Sequence, residues 1–328
     1  MGQSVNKSRE TKKYRRILCI VFLFLCLCSL SIGVDDNVTC INLLKIEKQA
    51  WHTFIISRLP RTLAIIITAT GLSIAGVIMQ AIGRNQFVSP STIGTTQAAS
   101  LGVLISSIFL NVPSRNAQLV FAFLFSLLST QFFIFILNKI KLKETYFVPM
   151  LGLMYGGIIA SLTQMFAYQN NVLQILSSLN LGSFNRFTSF RLLWIVLIPV
   201  CFALVYATRF SIVSIGADFA KNLGINYNRT IFLGVTLVSL ISASTFVTVG
   251  PIPFVGLIIP NLINQYFGSH LKNNMLNITL FGSSFVLFCD IISRLIIFPY
   301  EVAIGLTIGI IGGLIFMFII LRRSYYAI

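Results

Sequence analysis

Residues that could carry out catalysis or bind a metal are few in this sequence, and their spacing matches no catalytic motif. There are two histidines, His52 and His270, and six cysteines, none of them in a C-x-x-C pair. A G-x-x-x-x-G-K-[ST] phosphate-binding loop and an H-E-x-x-H zinc motif are both absent. We therefore predict that the chain is not an enzyme, has no catalytic residues and holds no metal or cofactor of its own.

Charged residues in or beside apolar stretches are the next candidates for a functional role. Asp290 and Arg294 lie four residues apart, so on a helix they face the same side and can neutralise each other. Arg58 and Arg61 flank Pro60, which suits the first turn of a helix. These two arginines either anchor that helix at a membrane surface or form a docking patch for acidic groups of an outside partner.

The composition shows which kind of fold must position these residues. Of the 328 residues, 56% are hydrophobic and 10% are charged, and the mean hydropathy is +0.89. A soluble domain carries about 25% charged residues. The composition therefore excludes a soluble enzyme, a disordered chain and a collagen-like fibre, and it predicts an all-α polytopic membrane protein.

About ten apolar segments are long enough to be transmembrane helices, which need about 20 residues each. One of them contains prolines and is short, so nine spans are an alternative. A further apolar segment, 172–182, is too short to span and is predicted to form a short surface helix. The predicted spans are 17–34, 60–82, 93–110, 117–138, 147–168, 190–209, 230–249, 253–267, 274–297 and 302–322.

The distribution of lysine and arginine predicts the orientation. The net charge is +16, and 16 of the 24 basic residues fall in segments that would be cytoplasmic if the N-terminus is inside. In a chain this apolar, the surplus indicates cytoplasmic loops rather than nucleic-acid binding. We predict a basic cytoplasmic tail (1–16), one transmembrane domain (17–323) and a cytoplasmic C-terminus (324–328). The first span could be a signal peptide, but it lacks a clear cleavage site, and we expect it to be retained.

Several motifs, in order along the chain, resemble a known family. They are R-L-P-R at 58–61, R-N-x-x-x-x-P-x-x-x-G at 84–94, G-P-I-P-F-V-G-L-I-I-P-N at 250–261 and D-I-I-S-R at 290–294. Together they resemble the permease subunits of ABC importers for iron–siderophores and vitamin B12, the iron-chelate permease family. The resemblance covers nearly the whole chain and implies the fold of a type II ABC importer permease.

The segment at 250–261 is the strongest of these motifs. Three prolines within ten residues cannot lie in one regular helix, so we expect them to break the eighth span, and broken helices tend to line a pathway. The sequence departs from the family pattern at Asn261, where many members have His, and at Asn264. Asn at the former position is more usual in members that serve catecholate siderophores. The residues assigned to the broken helix are Gly250, Pro251, Phe254, Gly256, Pro260 and Asn261.

The resemblance implies three further groups of residues. The residues expected to dock the binding protein are Arg58, Arg61 and Arg294. The residues expected to form the cytoplasmic gate are Asn85, Phe87, Thr145 and Tyr146. The resemblance also implies a cytoplasmic coupling helix at about 216–224, which would present Ala220 and Leu223 to a groove on the ATPase. The residues assigned to it are Gly216, Ala217, Asp218, Ala220, Lys221, Leu223 and Gly224.

The resemblance also implies what the chain works with. The expected partners are a second permease subunit, identical or paralogous, a dimeric ATP-binding subunit that holds ATP and Mg²⁺, and an extracytoplasmic binding protein that delivers a ferric siderophore. We expect a multi-pass location in the cytoplasmic membrane and no nucleic-acid partner. A vitamin B12 or haem importer of the same family shares these motifs. A secondary transporter is a more distant alternative, since coupling-ion carboxylates other than Asp290 are lacking in the predicted spans.

Overall fold

The computed structural model describes residues 2–32, 51, 54–110, 114–140, 147–184, 191–268, 271–298 and 300–325. These residues form α-helices joined by short segments, with one isolated β-bridge between Ile297 and Tyr300. A π-helical turn, Phe54–Arg58, leads into the second helix. The helices are α1 (Gly2–Ser31), α2 (Leu59–Ile82), α3 (Thr95–Phe109), α4 (Arg115–Lys139), α5 (Phe147–Gln169), α6 (Leu173–Asn180), α7 (Arg191–Ile215), α8 (Ala217–Asn222), α9 (Tyr227–Thr248), α10 (Val255–Phe267), α11 (Leu271–Leu295) and α12 (Ile304–Tyr325).

Each of the ten predicted spans coincides with one of these helices, so the predicted all-α membrane fold is confirmed. Eight helices in the described part of the chain are long and apolar enough to cross a membrane. The predicted surface helix at 172–182 is α6. Residues 2–16, predicted as a separate basic tail, continue the helix of the first span.

The two remaining spans, α3 and α10, are shorter than predicted. They contain 15 and 13 residues, or about 23 and 20 Å of helix against a hydrocarbon core of about 30 Å. Each is preceded by a non-helical stretch, which we call the 83–94 loop and the 250–254 segment. Non-helical backbone is tolerated at membrane depth where protein covers it or where it lines a cavity.

Helix α2 lies at the centre of the bundle because small residues let other backbones approach it. A Cβ atom placed on Gly76 would lie 1.8 Å from the carbonyl oxygen of Gly256, so α2 and α10 touch backbone to backbone. Buried side chains of α2 and α9 supply much of the core. In contrast, α1 and α5 leave many large apolar side chains exposed, as expected for helices at the periphery of the bundle.

The 83–94 loop turns back into the bundle. A Cβ atom on Gly152, in the second turn of α5, would lie 2.5 Å from the carbonyl oxygen of Thr92. A Cβ atom on Gly256 would lie 3.4 Å from Cδ of Pro90. The loop therefore packs between α5 and the first turn of α10.

The break before α10 differs from the prediction in one respect. Pro251 and Pro253 lie in the non-helical segment, but Pro260 lies inside α10. Phe254 adopts the left-handed conformation (φ 64°) immediately before the helix, and Gly250 has φ 96°. Two of the three prolines therefore interrupt the helix, and the third lies within α10.

Candidate functional site

The sequence-predicted residues gather at the two ends of the bundle. We call the end where α2 begins and α11 finishes the Arg61 end; the charge pattern predicts that it faces outside. The opposite end, where α2 finishes and α8 lies, is the Arg84 end.

At the Arg61 end, Arg61 bridges two carboxylates. Its Nη1 donates to both oxygens of Glu301, at 2.9 and 2.8 Å, and its Nη2 donates to Oδ1 of Asp290 at 2.8 Å. Asp290 is fully buried, and its second oxygen accepts from Nη2 of Arg294. The Asp290–Arg294 pair predicted from the four-residue spacing is confirmed, and Asp290 is shared between two guanidinium groups.

The other two arginines hold the C-terminal end of α1. Arg58 Nη1 donates to the carbonyl oxygens of Leu30 (3.0 Å) and Ser31 (2.7 Å). Arg294 Nη1 donates to the carbonyl oxygens of Ser29 (3.1 Å) and Ile32 (2.8 Å). The last carbonyls of a helix have no partner within the helix and carry a partial negative charge, so cations stabilise them.

The structure thus brings the three predicted docking arginines into one cluster and gives them partners within the chain. Arg58 and Arg294 are only 6% and 5% exposed. Their docking role stays a prediction, whereas their contacts with α1 and α11 are observed. The pairing of Glu301 with Arg61 was not predicted from the sequence. An acidic residue at the same predicted end as the arginines was the available signal.

At the Arg84 end, the 83–94 loop is fastened to α2 and α10. The carbonyl oxygen of Gln86 accepts from Gln80 Nε2 and from Asn261 Nδ2, both at 2.9 Å. Asn85 Oδ1 accepts from the backbone N–H of Phe87 at 2.9 Å. Asn261, where the sequence departs from the family pattern, therefore connects the broken helix to the predicted gate.

The predicted gate residue Phe87 is buried and stands at one end of a row of aromatic rings. Its ring meets that of Phe316 on α12 edge to face, at a centroid separation of 6.1 Å. Phe316 lies 6.2 Å from Phe254, the residue that precedes α10. The row joins the 83–94 loop, α12 and the 250–254 segment. Thr145 and Tyr146, the other predicted gate residues, lie outside the described residues.

The predicted coupling segment, residues 216–224, forms the short helix α8 between two glycines. Gly216 and Gly224 have φ 148° and 72°, a conformation that favours glycine. Ala220 is fully buried, so the prediction that it is presented to a partner is wrong. Phe219 and Leu223 are the exposed apolar side chains.

Arg84 links the 83–94 loop to the end of α7, directly before the coupling segment. Its Nη2 donates to the carbonyl oxygen of Ile215 at 3.0 Å. Ile215 ends α7, and the next residue, Gly216, begins the coupling segment. The backbone of Arg84 has φ 47°, which is uncommon for a residue other than glycine. Arg84 was predicted only as part of the 84–94 motif, and its contact with Ile215 was not predicted.

Metal ligation finds no support in the part of the chain that the structure describes. Among those residues, no three His, Cys, Asp or Glu side chains lie close enough to hold an ion. The arrangement instead offers ion pairs that fix helix ends and hydrogen bonds that fix a loop.

Comparison with family models decides the class. The model described as the FecCD transport family matches residues 18–322. The chain belongs to the FecCD transport family. The resemblance found in the sequence is confirmed, and the chain is a multi-pass membrane protein of a transport family, which fits the prediction that it is not an enzyme.

Relatives of this FecCD protein include permeases with named substrates. It is 43% identical over 314 residues, 95% of this chain and 99% of the other, to the petrobactin import system permease protein YclN of Bacillus subtilis (strain 168). It is 40% identical over 309 residues, 94% and 98% of the two chains, to the ferric-anguibactin transport system permease protein FatD of Vibrio anguillarum.

A solved structure supports the same fold. The chain superposes with a TM-score of 0.79 on an inward-facing metal-chelate type ABC transporter, covering 95% of this chain and 99% of the other, at 23% identity. At this identity the likeness shows the fold alone.

Proposed function

We propose that this FecCD protein is the permease subunit of an ABC importer that carries a ferric siderophore across the cytoplasmic membrane. The observation that carries the proposal is the 43% identity to a petrobactin import permease over 95% of the chain. The 40% identity to a ferric-anguibactin permease supports a ferric siderophore as the substrate class. Petrobactin is the first substrate to test.

The energy comes from a separate ATPase that binds ATP and Mg²⁺. The exposed Phe219 and Leu223 side chains on α8 offer it an apolar contact at the Arg84 end. Movement of α8 displaces Ile215, which lies just before the coupling segment. Arg84, near the start of the 83–94 loop, is hydrogen-bonded to Ile215, so the loop moves with it. The loop's contacts with Asn261 and Phe316 carry that movement to α10 and α12.

The remaining partners follow from the same class of transporter. A second permease subunit completes the pore, and an extracytoplasmic binding protein delivers the chelate at the Arg61 end. Both chain termini lie in the cytoplasm. The positive charges that guide docking of the binding protein's acidic surface are those of Arg61, Arg58 and Arg294. Their hydrogen-bond partners within the chain fix their positions.

Uptake of labelled ligands tests this proposal. The chain is expressed with its ATPase and binding protein in a host that lacks its own ferric-siderophore and vitamin B12 permeases. We expect ferric petrobactin to accumulate, and accumulation to cease when the permease chain alone is omitted. Uptake of vitamin B12 or haem in place of any ferric siderophore would contradict the proposed substrate class, and uptake of none of these would contradict the proposed function.

A further inference from the structure

An apolar groove lies on the surface of the bundle between α7 and α9. Its volume is about 660 Å³, which is within the range of about 300–1,000 Å³ for pockets that hold whole small molecules. Ile198 and Phe202 line it from α7, and Phe232 and Leu240 line it from α9. Ile198, Phe202 and Phe232 are each more than half exposed, so they form an open rim.

The groove has the depth of one membrane leaflet. Its lining on α9 extends from Arg229, in the first turn, to Leu240, which is about 17 Å of helix. Half of a hydrocarbon core of about 30 Å is about 15 Å. The Thr236 hydroxyl in the lining donates to the carbonyl oxygen of Phe232 at 2.8 Å, so it is already paired within the helix. The groove therefore suits a single acyl chain that lies along α9.

A second cavity, which we call the basic pocket, continues the groove at the Arg84 end. Its volume is about 530 Å³, and Arg229 and Leu233 line both cavities. Arg209 of α7 also lines the basic pocket, and its guanidinium carbon lies 4.7 Å from the centre of the Tyr206 ring. Stacking on an aromatic ring restricts where a guanidinium group can lie. Two arginines are therefore positioned where the apolar groove meets the membrane surface.

The charges of the basic pocket call for an anionic ligand. Neither Arg209 nor Arg229 has a carboxylate partner among the residues that the structure describes, and both are exposed. Arg229 lies in the first turn of α9, where the partial positive charge of the helix N-terminus adds to its own. Guanidinium groups bind phosphate with charge-assisted hydrogen bonds. The Arg84 end is also the predicted cytoplasmic end, and the cytoplasmic leaflet carries anionic lipid.

We propose that the groove and the basic pocket together bind one anionic phospholipid, with an acyl chain along α9 and the headgroup phosphate between Arg209 and Arg229. Leu223 and Gly224, at the end of the coupling segment, also line the basic pocket, so the headgroup lies beside that segment. A second copy of this chain fits the site less well, because it has the same net charge of +16. The inference does not depend on which chelate is transported.

Quenching of tryptophan fluorescence by brominated lipids tests the site. The reporter is Phe232→Trp on the groove rim, and the control is Phe24→Trp on α1, both in full-length chains whose Trp51 and Trp194 are replaced by Phe. Each chain is placed in vesicles of equal parts phosphatidylcholine and phosphatidylglycerol, with bromine on the acyl chains of one lipid or the other. We expect brominated phosphatidylglycerol to quench the groove reporter more strongly than brominated phosphatidylcholine does, with a smaller difference at the control. Equal quenching by both lipids at the groove, the same difference at both reporters, or no quenching at the groove would overturn the inference.

Substitution of the arginines separates this site from the general attraction of anionic lipid to a basic protein. Arg209→Gln and Arg229→Gln should each lower the preference for phosphatidylglycerol at the Phe232→Trp reporter about fivefold, the contribution of one basic residue near an anionic surface. Lys13→Gln and Arg16→Gln remove exposed charges from α1 and should leave this preference unchanged. A preference that survives loss of both groove arginines, or that falls equally in the α1 variants, would overturn the inference.

Discussion

At the residue scale, Asp290 is the carboxylate that pairs with two arginines at the Arg61 end. It is fully buried and accepts from Arg61 and from Arg294. Those arginines begin α2 and finish α11, and Arg294 also holds the end of α1. One carboxylate therefore ties three helices together, and it does so where the chain is expected to meet its binding protein.

Removal of this carboxylate should destabilise the fold strongly. Asp290→Ala leaves the buried Arg294 and the half-buried Arg61 without their shared carboxylate, and breaking a buried ion pair from one side costs about 3–5 kcal/mol. We expect a much lower midpoint of thermal unfolding in detergent and little folded protein. Asp218→Ala on the exposed surface of α8 serves as the control and should change stability by less than about 0.5 kcal/mol. An Asp290→Ala chain as stable as this control would refute the assigned role.

A second residue-scale prediction concerns the gate. Asn261→Ala removes one of two donors to the Gln86 carbonyl, a loss of about 1 kcal/mol that loosens the 83–94 loop. In a Phe87→Cys background, reaction with a thiol reagent should become several-fold faster. Asn264→Ala, on the same helix, is the control because Oδ1 of Asn264 has no partner in the described structure. If both alanine variants react alike, Asn261 does not hold the loop.

At the element scale, short helices and close crossings decide the architecture. Helices α3 and α10 are completed by the 83–94 loop and the 250–254 segment, and α10 can reach α2 only because both helices have glycine at the contact. Hydropathy located all ten spans because each is apolar enough to be recognised without its neighbours. The prolines predicted that the eighth span, now α10, is short and interrupted. Hydropathy did not reveal that α3 is shortened, since whether the loop before it turns back into the bundle depends on tertiary packing.

The crossing of α2 and α10 gives an element-scale prediction. Gly76→Ala places a methyl group where the Gly256 carbonyl oxygen lies, so the two helices must separate, at a cost of about 1–3 kcal/mol. Gly157→Ala on α5 is the matched control, because nothing lies within 4 Å of its new Cβ atom. Thermal unfolding of the purified importer should show a lower midpoint for the first variant and an unchanged or higher one for the second. Equal midpoints would contradict the backbone contact.

Helix α8 gives the other element-scale prediction. Replacing Phe219 and Leu223 together with Ser removes its exposed apolar contact without touching the buried Ala220. Co-purification of the ATPase with the membrane chain should fall about tenfold or more, as expected when anchoring side chains at an interface are lost. Tyr266→Ser, an exposed aromatic residue of α10, should leave co-purification unchanged. Retention of the ATPase by the double variant would place the contact elsewhere.

At the scale of the whole molecule, the sequence was enough for the class and part of the site. The four-residue spacing predicted the Asp290–Arg294 pair, since such residues face one another on any helix. The Arg61–Glu301 and Asn261–Gln86 contacts join residues 240 and 175 positions apart. Only the packed helices bring them together.

We propose, above all, that ATP hydrolysis by a partner drives transport of a ferric siderophore by this permease. The most direct measurement is uptake of ferric petrobactin into proteoliposomes that contain the permease with its ATPase, with the binding protein outside. We expect accumulation that requires ATP at the ATPase side and that is unaffected by proton or sodium gradients. Uptake that proceeds without ATP and follows an imposed ion gradient would contradict it and indicate a secondary transporter.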